Sequence, residues 1–235
     1  MIYREVTSCP FCGDTLGPWD TGIRPVGPDA SGVYDRDETR YSFCRCGGAF
    51  QNPAPTDASL AEFYREEYRT VCPESPTRDD KGRRARRIFP YFPQVPGDLL
   101  DVGCSVGELM EFARNSGWRV AGVEPNDLGR EYCRRFGAVY RNLDEVDKTF
   151  DLVTAIHVLE HIPSPVPFLR QMAGVMKPQG TTLVVVPKDG LSAPHVLAMG
   201  EPQVRLLFER AGLAITFLEA VATSDTKADI IVRAH

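Results

Sequence analysis

The chain has 235 residues, 43% of them hydrophobic and 25% charged, with 27 basic and 32 acidic side chains for a formal net charge of -5. This balance excludes a disordered chain, which needs low apolar content and a high net charge. It also excludes a membrane span, because no stretch approaches ~18 consecutive apolar residues, and it argues against a nucleic-acid binder.

The opening Met1-Ile2-Tyr3-Arg4-Glu5 has neither the basic nor the apolar region of a secretory signal, so the expected location is cytoplasmic. In that reducing compartment the seven cysteines are expected to be ligands or buried thiols rather than disulfides. Four of them, Cys9, Cys12, Cys44 and Cys46, fall in the first 46 residues. Residues 14–40 between the pairs are rich in Gly, Pro, Asp and Thr and cannot build a core of their own. A C-x2-C pair followed by Gly13, and a C-x-C pair 31 residues later, supply the four thiolates of a tetrahedral zinc site. Such a site is structural, with every position filled, and the alternative is a loop with free thiols. Residues 1–52 are therefore read as a small zinc-binding module, which Pro53-Ala54-Pro55 closes.

Residues 53–97 read as a helical connector. Thr56 or Asp57 caps a helix on which Leu60, Phe63, Tyr64 and Tyr68 share a face, and Pro73 and Pro76 end it. A second helix over 78–89 is basic, with Arg78, Lys81, Arg83, Arg84, Arg86 and Arg87 giving a net +4 over residues 78–92.

From residue 98 apolar runs alternate with helical periods, the pattern of a parallel α/β sheet. Strands are expected at 99–102, 119–123, 138–140, 152–156, 181–186, 214–220 and 230–233, and helices at 106–116, 128–136, 165–176 and 202–210. The last two strands are joined by Thr223-Ser224-Asp225-Thr226-Lys227, which leaves no room for a helix and predicts an antiparallel hairpin at the sheet edge. Leu99-Leu100-Asp101-Val102-Gly103-Cys104-Ser105-Val106-Gly107-Glu108 is a strand, a tight turn and a helix start, where the glycines let backbone approach a ligand. About 20 residues on, Glu124 follows the second strand, where a carboxylate accepts hydrogen bonds from a ribose diol. The turn lacks the middle glycine of a dinucleotide fingerprint, and Asp101 would repel a pyrophosphate but attract a cation. S-adenosylmethionine, with no phosphate and both an ammonium and a sulfonium, suits it.

These residues resemble the class I S-adenosylmethionine-dependent methyltransferases. Residues 101–107 are similar to that family's first motif, Glu124 to its ribose-binding acid, residues 150–161 to its fourth-strand motif and Met176-Lys177-Pro178-Gln179-Gly180 to the turn before its fifth strand. Ser105 stands where the family usually has a second glycine. The resemblance implies a seven-stranded Rossmann-like methyltransferase sheet with an antiparallel last strand over residues 98–235. It implies that Asp101, Gly103, Cys104, Ser105 and Gly107 hold the methionine moiety and Glu124 the ribose. Pro125 and residues 142–144, Asp144 included, would flank the adenine, and His157 would lie beside the methionine part. With the zinc module, Gln51-Asn52-Pro53-Ala54-Pro55 and Phe63-Tyr64-Arg65-Glu66-Glu67-Tyr68 resemble bacterial zinc-ribbon methyltransferases that tailor sugars and natural products. In that context Tyr64 and Tyr68 cover the cofactor; the same spacing also serves a plain packing helix.

Methyl transfer to a hydroxyl or an acidic carbon also requires a proton acceptor, for which histidine is best suited near neutral pH. Of four histidines, His195 in the loop after the fifth strand is the expected general base, with His161 or His157 as alternatives and a purely structural role open for each. The acceptor is expected to be a small molecule, a nucleotide sugar or natural-product intermediate, modified at O, C or N. An RNA methyltransferase using residues 78–87 on phosphates is the alternative; the net -5 over residues 1–77 and the absence of an Asn-Pro-Pro-Tyr-type motif after the fourth strand disfavour it. A non-catalytic binding module is the third reading, and the intact Asp101, Gly103, Gly107 and Glu124 count against it.

Overall fold

A computed structural model describes residues 1–17, 40–66, 77–188, 190, 195–224 and 227–235. In chain order its strands and helices are β1 (Tyr3–Arg4), β2 (Tyr41–Phe43), β3 (Ala49–Gln51), β4 (Ala54–Pro55), α1 (Asp57–Glu66), α2 (Thr77–Ile88), β5 (Asp98–Val102), α3 (Glu108–Asn115), β6 (Arg119–Val123) and α4 (Asp127–Cys133). They continue with β7 (Ala138–Tyr140), β8 (Phe150–Ile156), α5 (Pro165–Gly174), β9 (Met176–Pro187), β10 (Leu197–Ala198), α6 (Glu201–Ala211), β11 (Ile215–Ser224) and β12 (Lys227–Ala234). No described helix is long and apolar enough to cross a membrane.

Seven strands form one sheet in the order β11-β12-β9-β8-β5-β6-β7. The pairs β5–β6, β5–β8 and β6–β7 are parallel, and the last strand is antiparallel, as the short 223–227 connection predicts. The central strands are covered on both faces, which is why they read as apolar runs: Leu99, Leu100, Leu152, Val153 and Ala155 are all fully buried. At the edge, β11 instead has only half-buried and exposed positions. The amino ends of the parallel strands are fixed by charge. Arg119 donates to both carboxylate oxygens of Asp98 at 2.8 Å, and Lys177 reaches Asp98 at 3.0 Å and Asp151 at 2.7 Å. Met176 to Gly180, expected as a turn, is instead extended and begins β9 five residues early. The ion pairs of Lys177 hold it there, and a Cβ on Gly180 would lie 2.8 Å from the Phe150 carbonyl oxygen.

Contacts divide the chain into two compact units. One comprises Met1–Leu60, His157–Arg170 and Val185–Val232. Within it β2, β3 and β10 form a three-stranded antiparallel sheet, with Leu197 opposite Phe50 and Tyr41 opposite Gln51. The amino-terminal segment is thus held by burial: Phe11, Tyr41, Phe50, Leu197, Leu207 and Phe208 are all within 2% of full burial. The other unit comprises Ala61–Ile156, Gln171–Val184 and Arg233–His235 and carries the glycine turn. In it Phe89 packs against Phe92 and Phe112, and Phe92 against Trp118. These aromatic pairs anchor the carboxyl end of the basic helix, and Ala85 and Ile88 are buried on its inner face.

Candidate functional site

The turn after β5 is built by three departures from ordinary backbone at alternate positions. Gly103, Ser105 and Gly107 have φ of 76°, 53° and 84°, the left-handed region that a Cβ disfavours. The Gly103 and Cys104 amides donate to the Val123 carbonyl at 2.8 and 3.0 Å, which ties the turn to the end of β6. A Cβ on Gly107 would lie 2.8 Å from the Phe136 ring and 3.1 Å from Cys133 Sγ, so only glycine lets α3 start there. This delays the helix from the expected residue 106 to Glu108.

Two acids face this turn. Glu124 is 8% exposed; its Oε2 accepts the Ser105 amide at 2.8 Å and its Oε1 the Asn126 amide at 2.9 Å. Asp101 is 3% exposed, and its Oδ1 accepts the Thr154 hydroxyl at 2.8 Å. Burial pushes the Asp101 carboxyl up to about 7, the Thr154 hydrogen bond opposes this, and the charges of Glu108 and Glu124 add to it. A buried carboxylate near two others is stabilised by a bound cation.

The remaining positions around the turn divide between backbone and side-chain roles. Cys104 presents backbone to the turn while its thiol packs into the core with Met110 and Cys133, 3.5 Å from Cys133 Sγ. The Pro125 carbonyl accepts Arg130 Nη1 at 2.6 Å, and the Glu124 carbonyl accepts the same nitrogen at 2.8 Å. Arg130 also pairs with Asp127. Asn126 caps α4 through Gly129 and donates from Nδ2 to the carbonyls of Tyr64 and Arg65 at 3.4 and 3.3 Å, which fastens the end of α1 beside Glu124. Tyr68 lies outside the described residues, as does Cys72. Asp144 is exposed, and its Oδ1 accepts Gln171 Nε2 at 3.1 Å. Sequence reasoning missed Thr154, Asn126 and Arg130. Asn126 carried a usable signal, an Asn just before a helix; the other two depend on strand register and loop path.

A second cluster begins at His157, one residue beyond β8, where φ is 54° and the amide donates to the Val185 carbonyl at 2.8 Å. His157 lies between two buried carboxylates, with Nδ1 3.4 Å from Glu160 Oε1 and Nε2 3.4 Å from Asp229 Oδ2. His161 Nε2 and His195 Nε2 stand 3.9 and 4.0 Å from the same Glu160 oxygen. Their rings meet edge to face, with centroids 5.0 Å apart. All three expected histidines therefore converge on one acid that is 1% exposed. Burial alone would raise the Glu160 carboxyl, but contact with His157 and the charges of His161 and His157 bring it below its ordinary value. His195 Nδ1 is 2.8 Å from the Gly190 carbonyl oxygen. A carbonyl only accepts, so Nδ1 bears a proton there and Nε2 is the nitrogen turned toward Glu160. Asp229 was missed, because an acid in a terminal strand gives no sign of which partner it will meet.

The four amino-terminal cysteines also converge. Cys9 Sγ is 3.7 Å from Cys46 Sγ and Cys12 Sγ 3.6 Å from Cys44 Sγ, and all four sulfurs lie within 4.8 Å of one another. Each pair ends in a left-handed glycine, Gly13 at 84° and Gly47 at 85°, so the C-x-C pair makes the same kind of knuckle as C-x2-C. Tetrahedral zinc with ~2.3 Å bonds has sulfur–sulfur edges of about 3.8 Å, so the donor set fits that ion. Burial pushes the Cys9 thiol up and the Cys12 thiol to about 11. At Cys44 burial is outweighed by hydrogen bonds from the Cys46 backbone and the neighbouring thiols, and the pKa falls. A cation is what allows four clustered sulfurs to ionise together.

Residues 65–217 match a family model described as a methyltransferase domain. Over 103 residues the chain is 39% identical to a sterol 24-C-methyltransferase of Eremothecium gossypii, covering 37% of this chain and 28% of that one. Over 122 residues it is 28% identical to a ubiquinone biosynthesis O-methyltransferase of Actinobacillus pleuropneumoniae, covering 45% of this chain and 52% of the other. The chain thus spans only about a quarter to a half of the length of these curated relatives. Among solved structures, the 1,6-didemethyltoxoflavin-N1-methyltransferase of Burkholderia thailandensis, with S-adenosylhomocysteine bound, has a TM-score of 0.63 at 17% identity, covering 86% of this chain and 96% of that one. The magnesium protoporphyrin IX methyltransferase of Synechocystis PCC 6803, also with S-adenosylhomocysteine, has a TM-score of 0.59 at 12% identity, covering 76% and 99%. These two likenesses show the fold.

Proposed function

The chain belongs to the methyltransferase-domain family, and on that premise we propose that it transfers a methyl group from S-adenosylmethionine to a small-molecule acceptor, a sugar or natural-product intermediate, at O, C or N. The observation that carries the reading is Asp101, a buried carboxylate at the mouth of the glycine turn with Glu124 on the adjoining strand end. The cofactor supplies an activated methyl on a sulfonium. Asp101 fits the cofactor's ammonium, Glu124 its ribose hydroxyls, and the backbone of residues 103–107 the methionine chain. Such a protein chiefly aligns acceptor and methyl and excludes water.

Removal of the acceptor's proton falls to the histidine cluster. His157 directly follows Ile156, the last residue of β8, and the ends of neighbouring parallel strands are where open α/β sheets bind ligands. His195 is the favoured residue, because its Nδ1 meets the Gly190 carbonyl and Nε2 is the nitrogen turned toward Glu160. The four thiols are assigned to structural zinc, and the location to the cytoplasm. Calorimetry with S-adenosylmethionine tests the cofactor assignment: wild type is expected to bind and Asp101→Asn to lose most affinity. A wild-type protein that does not bind would overturn the reading. For the cluster, His195→Ala should lower turnover about 10²-fold with cofactor affinity unchanged; normal turnover would remove His195 from the chemistry.

A further inference from the structure

Glu160, His161 and His195 form a constellation that proton transfer alone does not account for. Neither oxygen of the Glu160 carboxylate meets a well-aligned hydrogen-bond donor among the described residues, although both are fully buried. His195 Nδ1 meets the Gly190 carbonyl, and Nε2 is the nitrogen it turns toward Glu160. Two imidazole nitrogens, His195 Nε2 and His161 Nε2, thus stand 4.0 and 3.9 Å from one buried carboxylate oxygen, and the three groups offer ligand atoms that all lie within 4.8 Å of one another. Imidazole nitrogens and a carboxylate oxygen gathered this closely are the donor set of a metal cation.

The surrounding charge favours a divalent one. Glu160 and Asp229 are both buried, with His157 between them, so two acids are gathered where solvent does not screen them. Metal-bound imidazoles typically donate their second ring nitrogen to a carbonyl, as His195 does to Gly190. The two imidazoles are 19% and 16% exposed at their side chains, so an ion and a further ligand can reach them. With bonds of about 2.1 Å, a tetrahedral set has ligand–ligand edges of ~3.4 Å. Small rotations of the two rings close the remaining half ångström or so.

We propose that Glu160, His161 and His195 hold a divalent first-row transition-metal ion, distinct from the ion assigned to the four cysteines. Three protein ligands leave positions open for water or for an oxygen of another molecule. The site stands on the cluster alone. If the chain transfers methyl groups as proposed, an acceptor hydroxyl bound to the ion would lose its proton more readily, so that His195 acts through the metal rather than directly.

The test is manganese binding to the 235-residue chain with its thiol site loaded with zinc, followed by loss of the free-ion electron paramagnetic resonance signal. Imidazole and carboxylate accept Mn2+ where thiolates prefer zinc. One Mn2+ per chain is expected, weakened about tenfold or more in both His195→Ala and Glu160→Gln. Unfolding midpoints and S-adenosylmethionine calorimetry on the same variants identify any that fail to fold, and His161→Ala then replaces such a variant. Absence of Mn2+ binding in wild type, or equal binding in folded variants, overturns the proposal. If Mn2+ binds as expected and S-adenosylmethionine does not, the metal site stands and the methyl-transfer reading falls. If His195→Ala abolishes turnover in a wild-type background that binds no Mn2+, His195 acts as a direct base.

Discussion

Asp101 and Ser105 carry the sharpest residue-scale consequences. With its carboxyl raised to about 7 in the unliganded fold, Asp101 is largely protonated at pH 6, and a cationic ligand must displace that proton. Cofactor affinity should therefore rise with pH by up to about tenfold per unit below 7 and level off above it. Calorimetry in buffers of different ionisation enthalpy should detect close to one proton released per ligand at pH 6 and much less at pH 8. A flat profile would mean that Asp101 does not meet the cation. Ser105 occupies φ of 53° without glycine's freedom, at a cost of about 1 kcal/mol. Ser105→Gly should raise the unfolding midpoint by about 2 °C, less whatever glycine adds to the freedom of the unfolded chain. Differential scanning calorimetry checks this, with cofactor affinity expected to stay near wild type. The sequence exposed Ser105 as a departure from a glycine pattern, and the left-handed backbone there explains why glycine is the usual choice.

At the scale of elements, α6 does more than cover the sheet. Its Gln203 donates to the Cys46 carbonyl at 2.5 Å, and its Arg210 donates from Nη1 to the carbonyls of Pro10 and Phe11 at 2.9 and 2.8 Å. Both cysteine knuckles are thereby held by one helix. Arg210→Ala, removing a surface contact worth ~1 kcal/mol, should speed metal loss to a chelator about fivefold, followed with a chromogenic zinc indicator. Unchanged release would leave the knuckles supported by their thiols alone. The same helix was legible as 202–210 in the sequence, against the observed Glu201–Ala211, because Pro202 and Gly212 bound an apolar period. Strands β6 and β7 also match their expected limits, for they lie between clear turn residues. Strand β9 does not, since its early start depends on where Asp98 and Asp151 meet Lys177. Strand β10, two residues long, has no pattern of its own and exists because Phe50 and Ala49 stand opposite it.

For the whole molecule, the amino-terminal fifty residues share a compact unit with chain that follows β8 and β9. The Tyr41 hydroxyl donates to the His195 carbonyl at 2.5 Å, and burial raises the Tyr41 pKa to about 12. The Gln51 amide donates to the Val196 carbonyl, and the Val196 amide to that of Glu160. The histidine cluster and the thiol cluster are therefore built into one hydrogen-bonded body, a relation that no linear division of the chain foretells.

By itself, the sequence determined the alternating strand and helix order, the antiparallel terminal hairpin, the glycine turn with its two acids and the four-thiol set. Each of these is written in residues close along the chain, where periodicity, turn chemistry and ligand spacing act over a few positions. Only the tertiary structure decided that Thr154 partners Asp101, that Asp229 and Glu160 enclose His157, that three histidines share one buried carboxylate, and that α6 braces both knuckles. Those contacts join residues up to 200 positions apart, and strand register and the burial of charge, rather than any local pattern, select them.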